Sequence, residues 1–598
     1  METKKVDLKA KPYYLSDEDI KWVEDTIAGM SLEEKIGQLF FNMGSSREEE
    51  YLKMTVNKYH IGGIRYNPAT SEEVYEQNRI LQENSKIPLI IACNTEAGGN
   101  GACVDGTLIG HPVKIGSTRN PKYAFEMGRM SNKEAAAIGC NLSFAPLSDI
   151  YYNWHNPVIG LRNFGNDPEQ VAQMATQYML GAHENPGFCC AAKHFPGDGL
   201  DDRDQHIANS VNTFTCEEWD KTFGKVYESL IDNGLEAIMA GHIMQPAYTR
   251  YFNPDIKDEE IQPATLSPEL IQGLLKGKLG FNGMVLTDAS HMVGMTCRMK
   301  RSEVVPHAIA AGVDMFLFFN DMDEDFESMM NGYKSGLITE ERLSDALHRI
   351  LGLKAHMGLH KKAKTEIMPP KEQMKEIIGC KEHKDMAKEI SEKGTVLVKY
   401  LDKDVLPLVP DKYKKIMIVY VKGVEAGGMG ALVAARNGSG KSPAQRLKEK
   451  LEAKGFEVFI YESPLEKMKK QMLEGGKPDI NLYFAGKDTI SEFAARQDLI
   501  ITLCDVAGGF QAVARPGWGM TKGGGEIPWY VHEVPVIALN MGHPTIMADM
   551  PHVRTFINAY DTNDQTMDVV VEKLVSGAES FVGEDPIDSF CGLWDTHF

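Results

Sequence analysis

The sequence lacks any long apolar run, and its basic residues are outnumbered by its acidic ones. No window approaches the roughly 20 apolar residues of a transmembrane helix, and residues 1–25 hold no apolar stretch typical of a signal peptide. There are 64 Lys and Arg against 84 Asp and Glu, a formal net charge of −20. Because binding to a phosphate backbone relies on clustered positive charge, we expect no nucleic-acid partner, no membrane partner and a cytoplasmic location.

Paired cysteine spacing is also missing. The ten cysteines show no CxxC pattern, which structural zinc sites and disulfide scaffolds commonly use. Cys93, Cys189 and Cys504 lie inside apolar runs, where a cysteine acts as a small hydrophobic residue. We therefore expect reduced thiols.

The first half of the chain alternates short apolar runs with amphipathic stretches such as 121–139, 168–184 and 263–280. The apolar runs are residues 37–43, 61–67, 88–94, 142–150, 189–195, 236–243, 283–290 and 314–320. Eight strands alternating with helices predict a (β/α)₈ TIM-like barrel, and continuous apolar strands are typical of a parallel sheet covered by helices. Ser267 followed by Pro268 indicates the start of a helix.

The second half has its own α/β pattern. A basic segment with a Pro-Pro pair, 360–375, indicates a linker, and a helical stretch follows at 382–393. Six strand candidates come next, at 395–400, 415–421, 456–461, 498–505, 535–541 and 554–560. We predict a catalytic barrel domain at 1–360, a linker at 361–380 and an αβα sandwich with a mostly parallel sheet at 381–598.

Two glycine-rich segments of the second half need a separate interpretation. "ARNGSGKS" (435–442) ends like a P-loop, but Ala435 stands where that motif has its first glycine, so we interpret it as a surface turn. "VARPGWGMTKGGGEIPWY" (513–530) is interpreted as a structural loop.

Polar residues follow most of the predicted barrel strands. They are Asn94, Asp149, Lys193, His194, His242, Asp288 and Asn320. The carboxyl ends of barrel strands form the face on which active sites are built, so these residues predict a site there.

The stretch "KHFPGDGLDDRDQH" (193–206) is dense in acidic and imidazole side chains. It could be a solvated acidic loop, a metal site or a proton-transfer device. Its spacing matches neither an HExxH helix nor an EF-hand loop, and it begins at the end of a buried strand, so we favour proton transfer. Asp204 at position i could orient the imidazole of His206 at i+2 and favour its protonated form, as a general acid requires.

Such a dyad needs a nucleophile or a second carboxylate. "GFNGMVLTDASHM" (280–292) offers Asp288 at the end of an apolar strand. The alternative is that Asp288 caps the following helix.

Several ordered motifs resemble family 3 glycoside hydrolases, in the bacterial β-N-acetylglucosaminidase branch. They are "MSLEEKIGQLF", "NLSFAPLSDI", "RNFGNDPEQVA", "KHFPGDG…DQH", "PATLSPEL" and "GFNGMVLTD". The resemblance implies a retaining, exo-acting β-glycoside hydrolase that needs no metal or cofactor. It also implies a carbohydrate substrate such as short glycans or cell-wall fragments, and we consider a homodimer possible.

The resemblance also assigns roles to individual residues. Asp288 matches the nucleophile, and His206 with Asp204 matches the acid/base dyad. The positions that match sugar-binding residues are Lys193, His194, Arg162 and Asn94. After donating its proton, a histidine acid/base is neutral and repels an anionic acceptor less than a carboxylate would, so phosphate could replace water.

Three positions depart from the family pattern. Asp198 stands where the family has histidine, and Gln205 where it has serine. Asn94 replaces an aspartate that grips the far sugar hydroxyls, and no arginine follows within 94–102. We therefore expect a β-N-acetylglucosaminidase, with a β-glucosidase, a β-xylosidase or a glycoside phosphorylase as alternatives. A sugar-binding protein without catalysis is disfavoured, because Asp288 and His206 are both present.

Overall fold

The computed structural model describes residues 4–423, 440–477, 489–506, 513–518 and 525–598. Most of the P-loop-like segment 435–442 and part of the glycine-rich segment 513–530 lie outside these residues. The chain forms two compact units. One comprises Met1–Pro112 with Asn120–Met386, and the other Val113–Arg119 with Ala387–Phe598.

Eight parallel strands of the first unit confirm the predicted barrel. They are β1 (Phe40–Met43), β2 (Gly63–Arg65), β3 (Ile90–Cys93), β4 (Leu142–Ser143), β5 (Cys189–Phe195), β6 (Ala237–Ala240), β7 (Met284–Thr287) and β8 (Phe316–Leu317). Neighbouring strands pair in chain order, and β8 pairs with β1. A parallel bridge between Leu286 and Met315 closes the ring between β7 and β8.

The fourth strand is shorter than the apolar run at 142–150 predicts. Regular pairing ends after Ser143 and resumes only as a single bridge between Leu147 and Lys193. Pro146 lies in this gap and has no N–H for a ladder hydrogen bond. The run is apolar because all of its residues are buried, both those in the strand and those in the irregular backbone that follows it.

Helices cover the outside of the barrel, and several begin at polar caps that the sequence provides. Ser16, Ser31 and Thr70 each form a capping box with an acidic residue three positions later. Leu270 N–H donates to Ser267 Oγ at 3.2 Å, which confirms the predicted helix start. The longer helices are Asp17–Gly29, Leu32–Gln38, Glu49–Asn57, Ser71–Asn84, Pro121–Ala137, Pro168–His183, Lys225–Asp232, Pro246–Phe252, Glu269–Lys278, Arg301–Ala311, Met322–Lys334, Glu340–His356 and Lys371–Ile377.

Short helical turns complete this unit. They are Gly99–Gly101, Cys216–Trp219, Asp220–Gly224, Asp258–Glu260, Ala264–Leu266, Val293–Thr296, Leu359–Lys361 and Lys364–Glu366. Ser210–Val211 and Ile243–Met244 form a separate two-stranded pair near the ends of β5 and β6.

The second unit contains a six-stranded sheet whose strands match all six predicted runs. They are β9 (Val396–Tyr400), β10 (Lys415–Lys422), β11 (Glu457–Ile460), β12 (Leu499–Asp505), β13 (Val536–Asn540) and β14 (Thr555–Asn558). The strand order is β9-β14-β13-β12-β10-β11, with only β9 antiparallel at the edge, so the sheet is mostly parallel as predicted. The accompanying helices are Pro112–Ser117, Lys381–Gly394, Pro443–Glu452, Pro464–Leu473, Ile490–Arg496, Pro544–Asp549, Asp564–Ser576, Ala578–Ser580 and Trp594–His597.

All ten cysteines lie within the described residues, and all are free. In the same residues, no helix combines the length and the apolarity needed to cross a bilayer.

A buried ion network joins the last barrel helix to the seam between β7 and β8. Asp314 accepts a hydrogen bond from Val285 N–H at 2.8 Å and pairs with Lys276 at 3.3 Å and with Arg342. Burial, together with the charges of nearby arginines, lowers the pKa of Lys276 to about 7. Removing one charge from such a network leaves its partners uncompensated in a low-dielectric environment.

We expect Asp314→Asn to lower the free energy of unfolding by about 3–5 kcal/mol, because Lys276 and Arg342 lose one of the two buried carboxylates that pair with them, and only Asp345 remains. Urea denaturation followed by circular dichroism measures this. The matched control is Asp323→Asn, which removes an exposed pair with Lys58 in the same unit and should change little. Equal urea midpoints for the two variants would contradict a stabilising role for the buried Asp314 network.

Candidate active site at the carboxyl ends of the barrel strands

Asp288 lies directly after β7, at the carboxyl-terminal mouth of the barrel. Its backbone N–H donates to Ala240 O at the end of β6, at 2.8 Å, and its Oδ1 accepts from Ala289 N–H at 2.7 Å. The next helix begins at Val293 with Met292 in the N-cap position. Asp288 therefore does not cap a helix, and its carboxylate is held at the mouth with a side-chain exposure of 14%.

Histidines surround this carboxylate. His194 Nε2 lies 3.8 Å from Asp288 Oδ2, while its Nδ1 pairs with Asp149 Oδ2 at 2.7 Å. His242 Nε2 lies 3.0 Å from Ala289 O, and burial lowers the pKa of this histidine. Burial alone would raise the pKa of Asp288, but the charges of the neighbouring histidines, with His194 the largest, outweigh it and lower this pKa. The carboxylate is thus favoured in its ionised form.

Asp204 and His206 form a close pair on the loop after β5. His206 Nδ1 lies 2.6 Å from Asp204 Oδ1, and the backbone N–H of His206 donates to the same oxygen at 2.8 Å. Asp204 is buried, whereas about a third of the His206 side chain is exposed. Two hydrogen bonds fix this loop against the segment after Asp288: Val293 N–H donates to His206 O at 2.9 Å, and Gly294 N–H donates to Gln205 O at 3.1 Å.

Glu96 organises the cations of the site, and the sequence analysis missed it. Its carboxylate accepts two hydrogen bonds from Arg162, at 2.8 and 2.9 Å, and also pairs with Lys193 Nζ. Burial would raise the pKa of Glu96, but these two cations hold it well below its ordinary range. The available signal was an acidic residue two positions after the predicted end of β3, beside Asn94.

Arg65 is a second residue that the sequence analysis missed. It ends β2, and its Nε donates to Asn94 Oδ1 at 3.2 Å. The sequence 94–102 has no arginine of its own, and the neighbouring strand supplies this guanidinium. With its oxygen engaged, Asn94 offers its amide group as a hydrogen-bond donor, where a carboxylate would only accept.

Asp198 and Gln205 contact each other. Gln205 Nε2 donates to Asp198 Oδ2 at 3.0 Å, and Gln205 Oε1 accepts from His242 N–H at 2.8 Å. Asn156 Nδ2 donates to the other oxygen of Asp198 at 2.9 Å. Burial, followed by the charge of Asp149, raises the pKa of Asp198 to about 6. Because these side chains are buried and bonded, residues 193–206 do not form a solvated acidic loop.

The family model of the glycosyl hydrolase family 3 N-terminal domain matches residues 31–353. The chain belongs to glycosyl hydrolase family 3. A β-N-acetylglucosaminidase/β-glucosidase of Cellulomonas fimi is 35% identical over 593 residues, which are 99% of this chain and 100% of the relative. The solved β-glucoside phosphorylase BglX is 37% identical, with a TM-score of 0.88, 98% of this chain covered and 99% of that one.

A family 3 β-N-acetylglucosaminidase from Paenibacillus sp. str. FPU-7 shares the fold at 23% identity, with a TM-score of 0.74. The alignment covers 94% of this chain and 100% of that chain. The family resemblance read from the motifs is therefore confirmed, and the chain is a family 3 enzyme that acts on carbohydrate.

The structure links most of the strand-end residues predicted from the sequence. Hydrogen bonds, ion pairs or mutual electrostatic interactions join Asn94, Asp149, Lys193, His194, His242 and Asp288 to the same cluster. Asn320 differs: its backbone N–H donates to Asp325 at 2.7 Å, and no contact with the cluster is found in the described residues. Among those residues, the stretch 193–206 also contains no group of three potential metal ligands.

Two departures from the family 3 pattern form a single hydrogen-bonded pair, Asp198 with Gln205, so we expect their substitutions to be coupled. Asp198→Ala and Gln205→Ala should each cost about 1–3 kcal/mol, since each leaves buried polar groups unsatisfied. The double variant should cost less than the sum by about 1 kcal/mol or more.

Urea denaturation of the four proteins in this cycle gives the coupling. Arg203→Ala provides the control, because Arg203 lies on the same loop but bonds to Asp201. Its effect should add to that of Asp198→Ala within about 0.5 kcal/mol. Additivity of the Asp198 and Gln205 changes would disprove the pairing.

Proposed function

We propose that this protein is a retaining, exo-acting β-glycosidase whose nucleophile is Asp288 and whose acid/base is His206, assisted by Asp204. The observation that carries this proposal is that a carboxylate and a carboxylate-bound imidazole lie at the same mouth of the barrel. The carboxylate of Asp288, whose pKa is lowered, directly follows β7. The imidazole of His206, oriented by the buried carboxylate of Asp204, lies on a loop that is hydrogen-bonded to the segment after Asp288. The barrel unit, predicted as residues 1–360, would then be the catalytic domain.

The first half-reaction forms a glycosyl-enzyme. Asp288 attacks the anomeric carbon as the bond to the leaving oxygen breaks, and the protonated His206 gives its Nε2 proton to that oxygen. Asp204 bonds to Nδ1 and so fixes the orientation of the imidazole, with Nε2 free to act on the leaving oxygen. The lowered pKa of Asp288 supports this role, because a nucleophile must be ionised when the substrate arrives.

The second half-reaction releases the sugar. His206 is now neutral and takes a proton from the incoming water, which attacks the anomeric carbon and displaces Asp288. Two inversions at the same carbon leave the configuration unchanged. The protonated His206 is then ready for the next substrate.

We propose that Lys193, His194, Arg162 and Asn94 bind the glycone. Lys193 and Arg162 are held by Glu96, so their donors are fixed in position before a sugar arrives. Their electrostatic interaction with Asp288 supports a location beside the reacting carbon.

For the glycone we propose β-N-acetylglucosamine, with β-glucose also accepted. The relative that aligns over the whole chain carries both names, and BglX is named for β-glucosides. The amide of Asn94 supports relaxed selection, because a neutral hydrogen bond contributes less than a charged one, about 0.5–1.5 against 1.5–3 kcal/mol.

Hydrolysis of 4-nitrophenyl β-N-acetylglucosaminide, β-glucoside and β-xyloside tests the function. We expect the first two to be cleaved, and kcat to fall about 10⁴-fold or more in Asp288→Asn, which lacks the nucleophile. His206→Ala should lose about 10²–10⁴-fold, the usual contribution of an acid/base. Asp202→Asn, an exposed change on the same loop, serves as the matched control.

A 2-deoxy-2-fluoro-β-glucoside provides a direct readout of the intermediate. Mass spectrometry of the digested protein should find the fluorosugar on the peptide that contains Asp288. A label on another carboxylate, or normal turnover by Asp288→Asn, would reject the assigned nucleophile.

A second candidate function is transfer of the glycosyl group to phosphate. The specific observations that favour it are the imidazole acid/base, which is neutral when the acceptor enters, and the similarity to a protein named as a phosphorylase. Phosphate attack on the glycosyl-Asp288 would form a β-configured sugar 1-phosphate and regenerate the carboxylate, with no proton needed from the acceptor.

Adding phosphate should therefore raise the rate of release of the second product and convert free sugar into sugar 1-phosphate. Phosphorus NMR and a reducing-sugar assay measure the two products, with sulfate at the same ionic strength as the control. A product ratio independent of phosphate would leave hydrolysis as the function.

A further inference from the structure

Arg65 is a cation at the barrel mouth that has no carboxylate partner among the described residues. It ends β2, its Nε donates to Asn94 Oδ1 at 3.2 Å, and its Nη1 donates to Asn67 Oδ1 at 2.9 Å. Both of these partners are neutral amides. A guanidinium carries five N–H groups, and two are used here, so three have no partner within the described residues, including both on Nη2.

The remaining donors of Arg65 are open to a ligand. Arg65 and Asn94 are half-buried, and neither Arg65 Nη2 nor Asn94 Nδ2 is fully enclosed by protein. The carboxylate whose charge acts on Arg65 is Glu96, which already pairs with Arg162 and Lys193. Burial lowers the pKa of Arg65, because no ion pair compensates for the hydration that it has lost. Oxygen atoms of a bound ligand would supply the missing acceptors.

The position of Arg65 in the barrel determines which end of a sugar it would meet. In the ring of eight strands β3 lies opposite β7, and β2 is next to β3, so Arg65 and Asn94 lie across the mouth from Asp288. The charge of Asp288 acts on Arg162, whereas the charges that act on Arg65 include Glu96 but not Asp288. A sugar ring whose C1 is beside Asp288 therefore turns its opposite end towards Arg65.

We propose that Arg65 binds the equatorial 4-hydroxyl of the glycone and so selects sugars by their configuration at C4. This inference rests on the proposed function, which places C1 of the sugar beside Asp288. C4 is the ring carbon opposite C1, so an equatorial oxygen on C4 points away from Asp288, roughly in the plane of the ring. Nη2 of Arg65 donates to this oxygen, and the amide of Asn94 is a second donor beside it.

The proposed contact makes the site selective at C4 and tolerant at C2. Glucose and N-acetylglucosamine share the equatorial 4-hydroxyl and differ at C2, so a donor at C4 accepts both. In a β-galactoside the 4-hydroxyl is axial and leaves the plane of the ring, and the donors of Arg65 and Asn94 then lose their acceptor. A site built to bond one hydroxyl discriminates strongly against a sugar that does not present it.

A purely structural role for Arg65 makes a different prediction. Its bonds to Asn67 and Asn94 hold the ends of two neighbouring strands, and losing them would weaken the mouth for every substrate alike. A direct bond to the sugar has an effect only when the substrate carries the 4-hydroxyl. Substrates that lack single hydroxyls therefore separate the two roles.

The test measures kcat/KM for 4-nitrophenyl β-glucoside and for its 4-deoxy and 6-deoxy analogues, in the wild type and in Arg65→Gln. We expect Arg65→Gln to lower kcat/KM for the glucoside about 10–100-fold, the usual contribution of a hydrogen bond from a charged donor. The wild type should lose a similar factor with the 4-deoxy sugar, and Arg65→Gln should then cost less than about threefold more. With the 6-deoxy sugar the effect of Arg65→Gln should remain in full. The wild type should also cleave the β-galactoside at least about 100-fold less efficiently than the β-glucoside.

Arg79→Gln is the matched control. Arg79 lies on the helix Ser71–Asn84, between β2 and β3 in the chain, and pairs with Glu76 and Glu83. It should leave kcat/KM for every substrate unchanged. Arg65→Lys keeps the charge without the planar fork and should fall between the wild type and Arg65→Gln. Because substrates are compared within one protein, a smaller fraction of folded enzyme cancels from each ratio.

Equal losses for the glucoside and its 4-deoxy analogue in Arg65→Gln would overturn the proposal. An effect of Arg65→Gln that disappears with the 6-deoxy sugar would overturn it as well, because the contact would then be at C6. Failure of the proposed function gives a different result: the wild type would cleave none of these glycosides, or Asp288→Asn would cleave them normally. Either of these results would remove the function and the inference together, whereas an active wild type with an equally active Arg65→Gln removes the inference alone.

Discussion

The need to neutralise buried charges determines how the side chains are arranged at the carboxyl-terminal mouth of the barrel. Five carboxylates converge there: Glu96, Asp149, Asp198, Asp204 and Asp288. An ionised group without a partner is costly in such surroundings, so each carboxylate lies beside a cation, an imidazole or an amide, and Asp149 and Asp288 share the imidazole of His194. The positions of the donors that we propose to bind the sugar follow from this requirement. Arg162 and Lys193, for example, both pair with Glu96, so their positions are fixed by the protein itself before any ligand binds.

The same requirement separates the carboxylates by function. Asp198 is buried, lies near the negative charge of Asp149 and is hydrogen-bonded to neutral amides. Burial, followed by the charge of Asp149, therefore raises its pKa to about 6. Asp288 is half-buried, and the charges of the nearby imidazoles outweigh the effect of burial and lower its pKa. One carboxylate is therefore suited to hold a loop and the other to attack an electrophilic carbon. Differences in partner, and not in residue type, create the two environments.

The sequence predicted the elements and strand ends well because burial and parallel pairing leave a local pattern of apolar runs. It located Asn94, Lys193 and Asp288 at one face for the same reason. It did not predict the contacts of Arg65 with Asn94 or of Glu96 with Arg162, which lie 29 and 66 residues apart in the chain. Those contacts depend on the register between neighbouring strands and on loop paths, and apolar periodicity does not specify either. The early end of β4 was not predicted, because the residues after Ser143 remain buried and apolar although they no longer pair with the neighbouring strands.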